Sequence, residues 1–86
     1  MKILKFWADW CSPCKVQGEL LKNFNIVPIE SIDIEKAVNQ DLVVKYNIRN
    51  LPTLIIVDDS GKELKRFSGV TTLEKLEEEI KNIWEK

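Results

Sequence analysis

The chain's only two cysteines, Cys11 and Cys14, have just two residues between them. A disulfide at that spacing closes a tiny loop and removes little entropy from the unfolded chain. As a structural staple it is nearly useless, so the fold must rest on its apolar core. For 86 residues that is demanding, because a chain of this size buries only about 60% of its unfolded surface. One domain over residues 1–86 is expected. A close cysteine pair can serve as a two-electron switch or as half of a metal site, and spacing alone leaves both open.

Bulk composition narrows the partners. The chain is 44% hydrophobic and 31% charged, with a net charge of −1. Basic residues are dispersed, so there is no electrostatic footprint for nucleic acid or for an acidic membrane. Apolar runs such as Leu54–Val57 are far too short to span a bilayer. Residues Met1 to Trp7 imitate a signal peptide, but Lys5 and Asp9 interrupt the pattern and no small-residue cleavage site follows. A cytoplasmic protein is expected, and there a CxxC pair is catalytic or metal-binding more often than structural. The chain has no histidine. That removes histidine acid–base catalysis, Cys-His nucleophiles and mixed Cys/His zinc sites within one chain.

Residues Lys2–Trp7 carry bulky groups on both faces and read as a central strand. Pro13 suits the first turn of a helix, which continues through an apolar stripe of Val16, Leu20, Leu21 and Phe24, weakened at Gly18. Ile26–Ile34 is the next strand, and Pro28 within it points to a sheet edge. A helix over roughly 35–46 turns Val38, Leu42, Val43 and Tyr46 inward. Thr53–Val57 is an apolar strand, Asp58-Asp59-Ser60-Gly61 is turn chemistry, and Glu63–Ser68 returns as a hairpin arm. In the last helix Thr71 and Glu74 form a capping box, Leu73, Leu76, Ile80 and Ile83 the buried stripe, and Glu77 with Lys81 an i,i+4 pair. The order βαβαββα implies an α/β fold, a four-stranded mixed sheet with helices on both faces.

With Cys11 at a helix N-terminus, unpaired N–H groups and the helix dipole favour its thiolate. Cys11 is then the exposed nucleophile and Cys14, one turn inside, the shielded second thiol. Cys11 attacks a substrate disulfide and Cys14 resolves the mixed disulfide. Trp7 and Trp10 flank the pair, Trp7 as core or shield and Trp10 as a contact for a protein partner. A metal reading needs four ligands where one chain offers two thiols, so it requires a dimer sharing zinc or an iron–sulfur cluster.

The stretch from Phe6 to Lys15, Phe-Trp-Ala-Asp-Trp-Cys-Ser-Pro-Cys-Lys, resembles the thioredoxin active-site motif, with Ser12 where glycine is usual. Ile48-Arg49-Asn50-Leu51-Pro52-Thr53 resembles the family's second motif, and Gly61 and Gly69 fall where it has glycines. The resemblance covers nearly the whole chain and implies a minimal thioredoxin fold. It makes Cys11 the nucleophile, Cys14 the resolving thiol and Pro52 a cis-proline facing them that helps keep metal away. It maps Trp10, Ser12, Pro13, Leu51, Pro52, Ser68, Gly69 and Val70 to the surface that grips substrate proteins.

Three departures from the family pattern stand out. The chain starts at the strand leading into the cysteines, which leaves Ile26–Ile34 at the sheet edge and gives a glutaredoxin-like outline. The proline that bends the active-site helix is replaced by Glu19 after Gly18. The family's buried aspartate beneath the resolving cysteine falls at Lys5. An inverted pair is therefore expected, with Lys5 under the disulfide, Asp33 as its partner, and proton handling at Cys14 as its role; the alternative is that Lys5 extends to solvent.

The resemblance implies a protein disulfide reductase that needs no bound cofactor and no metal. Its partners are oxidised protein substrates and an upstream thioredoxin reductase or equivalent donor, and the protein is expected to be a monomer. Two alternatives remain: a glutathione-dependent, glutaredoxin-like reductase, and a thioredoxin-fold binding or scaffold subunit whose thiols are incidental.

Overall fold

The computed structural model describes residues 1–85. Its elements run β1 (Lys2–Trp7), α1 (Ser12–Leu20), β2 (Ile29–Asp33), a 3-10 turn (Ala37–Asn39), α2 (Gln40–Lys45), β3 (Thr53–Val57), β4 (Glu63–Ser68) and α3 (Leu73–Trp84). The strands form one sheet in the order β2-β1-β3-β4. β1 is parallel to β2 and antiparallel to β3, and β3 and β4 form an antiparallel hairpin. This is the mixed four-stranded sheet that the βαβαββα order implied.

Alternation along the central strands splits the core in two. Ile3, Leu54 and Ile56 turn to one face and pack with Leu21, Leu76 and Ile80 of the α1 and α3 side. Leu4, Phe6, Ile32, Ile55 and Val57 turn to the other, where Tyr46 and Leu42 cover them. β3 is buried along its whole length, as its unbroken apolar run requires of an inner strand. The edge position expected for the Pro28 segment holds, although β2 is shorter than Ile26–Ile34. Pro28 sits just before the strand and uses only its carbonyl, which accepts from the Ile3 N–H at 2.9 Å.

Several local expectations are corrected by packing. The inward stripe of α1 is Cys14, Gln17 and Leu21, whereas Val16 and Leu20 are exposed and Phe24 lies beyond the helix. The segment after β2 begins as a 3-10 turn rather than a helix, and Val38 faces solvent. The reason is side-chain competition for backbone carbonyls: the Asn39 amide donates to the Asp33 carbonyl at 2.9 Å, and the Gln40 amide donates to the Ile34 carbonyl at 2.6 Å. The N-cap of α3 is Thr72, whose hydroxyl accepts from the Lys75 N–H at 3.2 Å, one residue later than the Thr71 box. Lys81 pairs with Glu85 at 4.0 Å, not with Glu77.

Candidate active site

Cys11 is the N-cap residue of α1, in extended backbone, with Pro13 in the first turn. Its Sγ accepts a hydrogen bond from the Cys14 N–H at 3.2 Å, and its own N–H donates to the Ala8 carbonyl at 3.1 Å. The sulfur therefore takes the place of an oxygen cap on one of the unpaired N–H groups at the helix start. Cys11 and Cys14 are joined by a disulfide with their Cα atoms 5.3 Å apart. In this oxidised form the two are equally buried, each 5% exposed. An exposed Cys11 over a shielded Cys14 is not seen, because Ala8, Trp7, Ile34 and Leu51 pack around the pair as one cluster.

The residues expected to surround the pair fall into two groups. Trp10, Ser12 and Pro13 are exposed beside the disulfide, with Trp10 66% accessible. Leu51 is half-buried against the cysteines, and Pro52 follows it through a cis peptide bond and is fully buried. Ser68, Gly69 and Val70 are tied to that bond: the Gly69 N–H donates to the Pro52 carbonyl at 2.8 Å, and Ser68 lies opposite Thr53. Gly69 has φ +87°, where side chains are strained. Val70 is exposed.

A residue that sequence reasoning passed over secures this arrangement. Gln17 is fully buried, donates from Nε2 to the Thr71 carbonyl at 3.0 Å, and accepts at Oε1 from the Thr71 N–H at 2.7 Å. The active-site helix and the Gly69–Thr71 loop are thereby locked together. The available signal was a polar residue three positions after Cys14, on the face that turns to the sheet.

Lys5 and Asp33 do not form the expected pair. The Asp33 Oδ1 accepts from the Glu35 N–H at 2.9 Å, which turns its carboxylate along its own loop. Among the described residues no ion pair joins it to Lys5. Lys5 is half-buried and shares a cavity of about 270 Å³ with Cys14, Trp7, Gly18 and Ser31, with Asp9 and Lys15 also on its wall. The indole Nε1–H of Trp7 is buried and has no hydrogen-bond partner among the described residues.

Comparison with known proteins agrees with this geometry. The thioredoxin family model matches residues 1–82. Thioredoxin C-2 of Corynebacterium nephridii is 34% identical over 79 residues, which span 86% of this chain and 70% of that protein. The thioredoxin of Bacillus subtilis is 32% identical over 78 residues, 85% of this chain and 72% of that protein. Thioredoxin 1 from Thermosipho africanus superposes with a TM-score of 0.75 at 31% identity, over 99% of this chain and 96% of that one.

Proposed function

This chain belongs to the thioredoxin family and is a CxxC protein disulfide oxidoreductase, and on that premise we propose that it works as a reductase with Cys11 as nucleophile and Cys14 as resolving thiol. The observation that carries the assignment is the Cys14 N–H donating to Cys11 Sγ at the α1 N-cap. The N-terminal end of a helix dipole and the N–H that Cys14 donates both favour negative charge on that sulfur, so Cys11 is the thiol that ionises first. Cys14 sits within the helix and lacks that position.

The Cys11 thiolate attacks one sulfur of a substrate disulfide. A Cys11–substrate bond forms, the substrate S–S bond breaks, and the departing substrate thiolate takes a proton from water. Cys14, having lost its proton, then attacks Cys11 Sγ. The Cys11–Cys14 bond forms and the second substrate thiolate leaves. Two electrons have passed from the dithiol to the substrate, and a donor of the thioredoxin reductase type restores them. The exposed Trp10, Ser12, Pro13 and Val70, with Leu51 and the Pro52 and Gly69 backbone behind them, make a largely apolar rim suited to an extended protein segment.

The protein is read as a single cytoplasmic domain acting as a monomer. A CxxC pair that adds little as a staple is suited to a reducing compartment, and both core clusters are drawn from elements throughout the chain. Mixed-disulfide trapping tests the role assignment. Reduced Cys14→Ser protein should hold oxidised insulin covalently through Cys11, whereas Cys11→Ser protein should not. Equal trapping by both variants overturns the order of the thiols. Parallel insulin reduction with thioredoxin reductase and with glutathione identifies the donor, and turnover with glutathione alone replaces the reductase reading with the glutaredoxin-like one.

A further inference from the structure

We propose that Lys5 is a positioning residue for the resolving step: its ammonium group, held beneath the active-site helix, stabilises the negative charge that Cys14 acquires in the reduced protein. The inference rests on the assignment of Cys14 as the resolving thiol and goes beyond it by naming what supports that thiol's ionisation.

The placement comes from three elements. Lys5 is in the central strand β1, paired with Ser31 of β2 on one side and Leu54 of β3 on the other. Its side chain shares the face of Ile3, the face that α1 covers. Its Nζ lies 3.6 Å from where a Cβ on Gly18 would sit, so the ammonium reaches α1 at the one position without a side chain. Gly18 is four residues after Cys14. Such positions are helix neighbours with Cβ sites about 5–6 Å apart, and helix side chains lean toward the N-terminus, from Gly18 toward Cys14. Lys5, Gly18 and Cys14 also line one cavity. A thiolate at Cys14 therefore forms about one helical turn from where the Lys5 ammonium reaches α1, in a partly enclosed space where charges interact more strongly than in bulk water.

The other groups that face this space are few. Asp9 from the loop after β1 and Lys15 from α1 are exposed side chains of opposite sign at its wall. Ser31 from β2 contributes a neutral hydroxyl, and the Asp33 carboxylate is engaged by the Glu35 N–H. The Leu54 side chain of β3 is apolar, and Cys11 is the remaining titratable group in reach. Of the charged side chains that line this cavity, Asp9 and Lys15 are exposed and Lys5 is half-buried; Asp33, also half-buried, is not on its wall. In the step itself Cys14 gives its proton to water, its thiolate forms the Cys11–Cys14 bond, and the substrate thiolate leaves. Lys5 holds charge throughout and exchanges no atom.

The test uses the reduced Cys11→Ser protein, where Cys14 is the only thiol and no charge at Cys11 intrudes. Thiolate ultraviolet absorbance against pH yields the Cys14 midpoint. With Lys5→Met the midpoint should rise by about one pH unit, and Lys5→Arg should bring most of that shift back. In the intact dithiol, the pH at which mixed-disulfide release is half-maximal should move upward with Lys5→Met. An unchanged midpoint in Lys5→Met, or a Lys5→Arg midpoint as high as that of Lys5→Met, overturns the proposal. If Lys5→Met fails to fold, Lys5→Gln supplies a neutral side chain that a half-buried site can hydrate, judged by the same criterion. Titration is independent of turnover, so a failed trapping experiment overturns the thiol roles without being confused with a failure here.

Discussion

Gln17 and Thr71, 54 residues apart, exchange two hydrogen bonds in the buried seam between the active-site helix and the start of α3. The side-chain amide of Gln17 does for the Thr71 backbone what a neighbouring strand would do, satisfying its N–H and its carbonyl at once. Two residues earlier the Gly69 N–H bonds the Pro52 carbonyl. Helix, loop and cis-proline segment are therefore one connected unit around the disulfide.

Breaking that unit should be costly. Gln17→Ala leaves a buried N–H and a buried carbonyl without partners, and each orphaned group costs about 1–3 kcal/mol. A loss of about 2–3 kcal/mol in urea unfolding is expected, with slower insulin reduction as the loop loosens. A loss below about 0.5 kcal/mol would mean that water replaces the amide.

Two glycines with the same backbone angle should respond differently. Gly61 and Gly69 both have φ +87°. A Cβ at Gly69 meets nothing within 4 Å, whereas at Gly61 it lies 3.3 Å from Lys45 Nζ and Tyr46 Oη. Gly69→Ala should carry only the backbone penalty of about 1–2 kcal/mol. Gly61→Ala should lose more, because Tyr46 Oη also donates to the Gly61 carbonyl and must shift. Equal melting temperatures for the two variants would contradict this.

Gly18 presents the opposite case. It lies inside α1 without a positive φ, and its nearest outside atom is at ordinary contact distance. Gly18→Ala should stabilise the protein by about 0.5–1 kcal/mol, measured by thermal unfolding. Destabilisation would show that the Lys5 ammonium cannot yield to a methyl group.

Asp58 contributes to the acid limb of stability, as does Glu63, whose carboxyl the Arg66 guanidinium holds below its ordinary value. The Asp58 carboxyl is held below its ordinary value of 3.8, first by the Ser60 hydroxyl and then by the Lys62 and Ser60 N–H groups. A lowered folded-state value means that the stabilisation is present above the unfolded value and is lost as pH falls through the folded one. Stability should therefore drop below about pH 4 in the native protein, and Asp58→Asn should flatten that drop in denaturation series across pH. An unchanged acid limb in Asp58→Asn would remove Asp58 from the account.

Trp10 is the most exposed aromatic beside the disulfide. Trp10→Ala should change unfolding free energy by less than about 0.5 kcal/mol, as exposed positions do. Loss of an aromatic anchor should raise KM for a protein substrate about fivefold, equivalent to about 1 kcal/mol. A change in stability with unaltered KM would make Trp10 a packing residue.

The sequence by itself determined the element order, the inner position of Thr53–Val57, the edge position after Pro28, the placement of Cys11 and Cys14 at a helix start, and, through the Leu51-Pro52-Thr53 motif, the cis bond. These features depend on backbone preferences and near neighbours, and a linear pattern records both. Tertiary structure alone decided which face of α1 turns inward, so that Gln17 is buried and Val16 is not. It also decided that Asp33 turns to its own loop while Lys5 reaches Gly18. A helix stripe read by apolarity could not foresee Gln17, because its burial is compensated by hydrogen bonds to Thr71 that exist only once α1 and the loop before α3 meet. The same holds for Lys5: the strand places it beneath the helix, but only packing supplies the cavity that its side chain shares with Gly18 and Cys14.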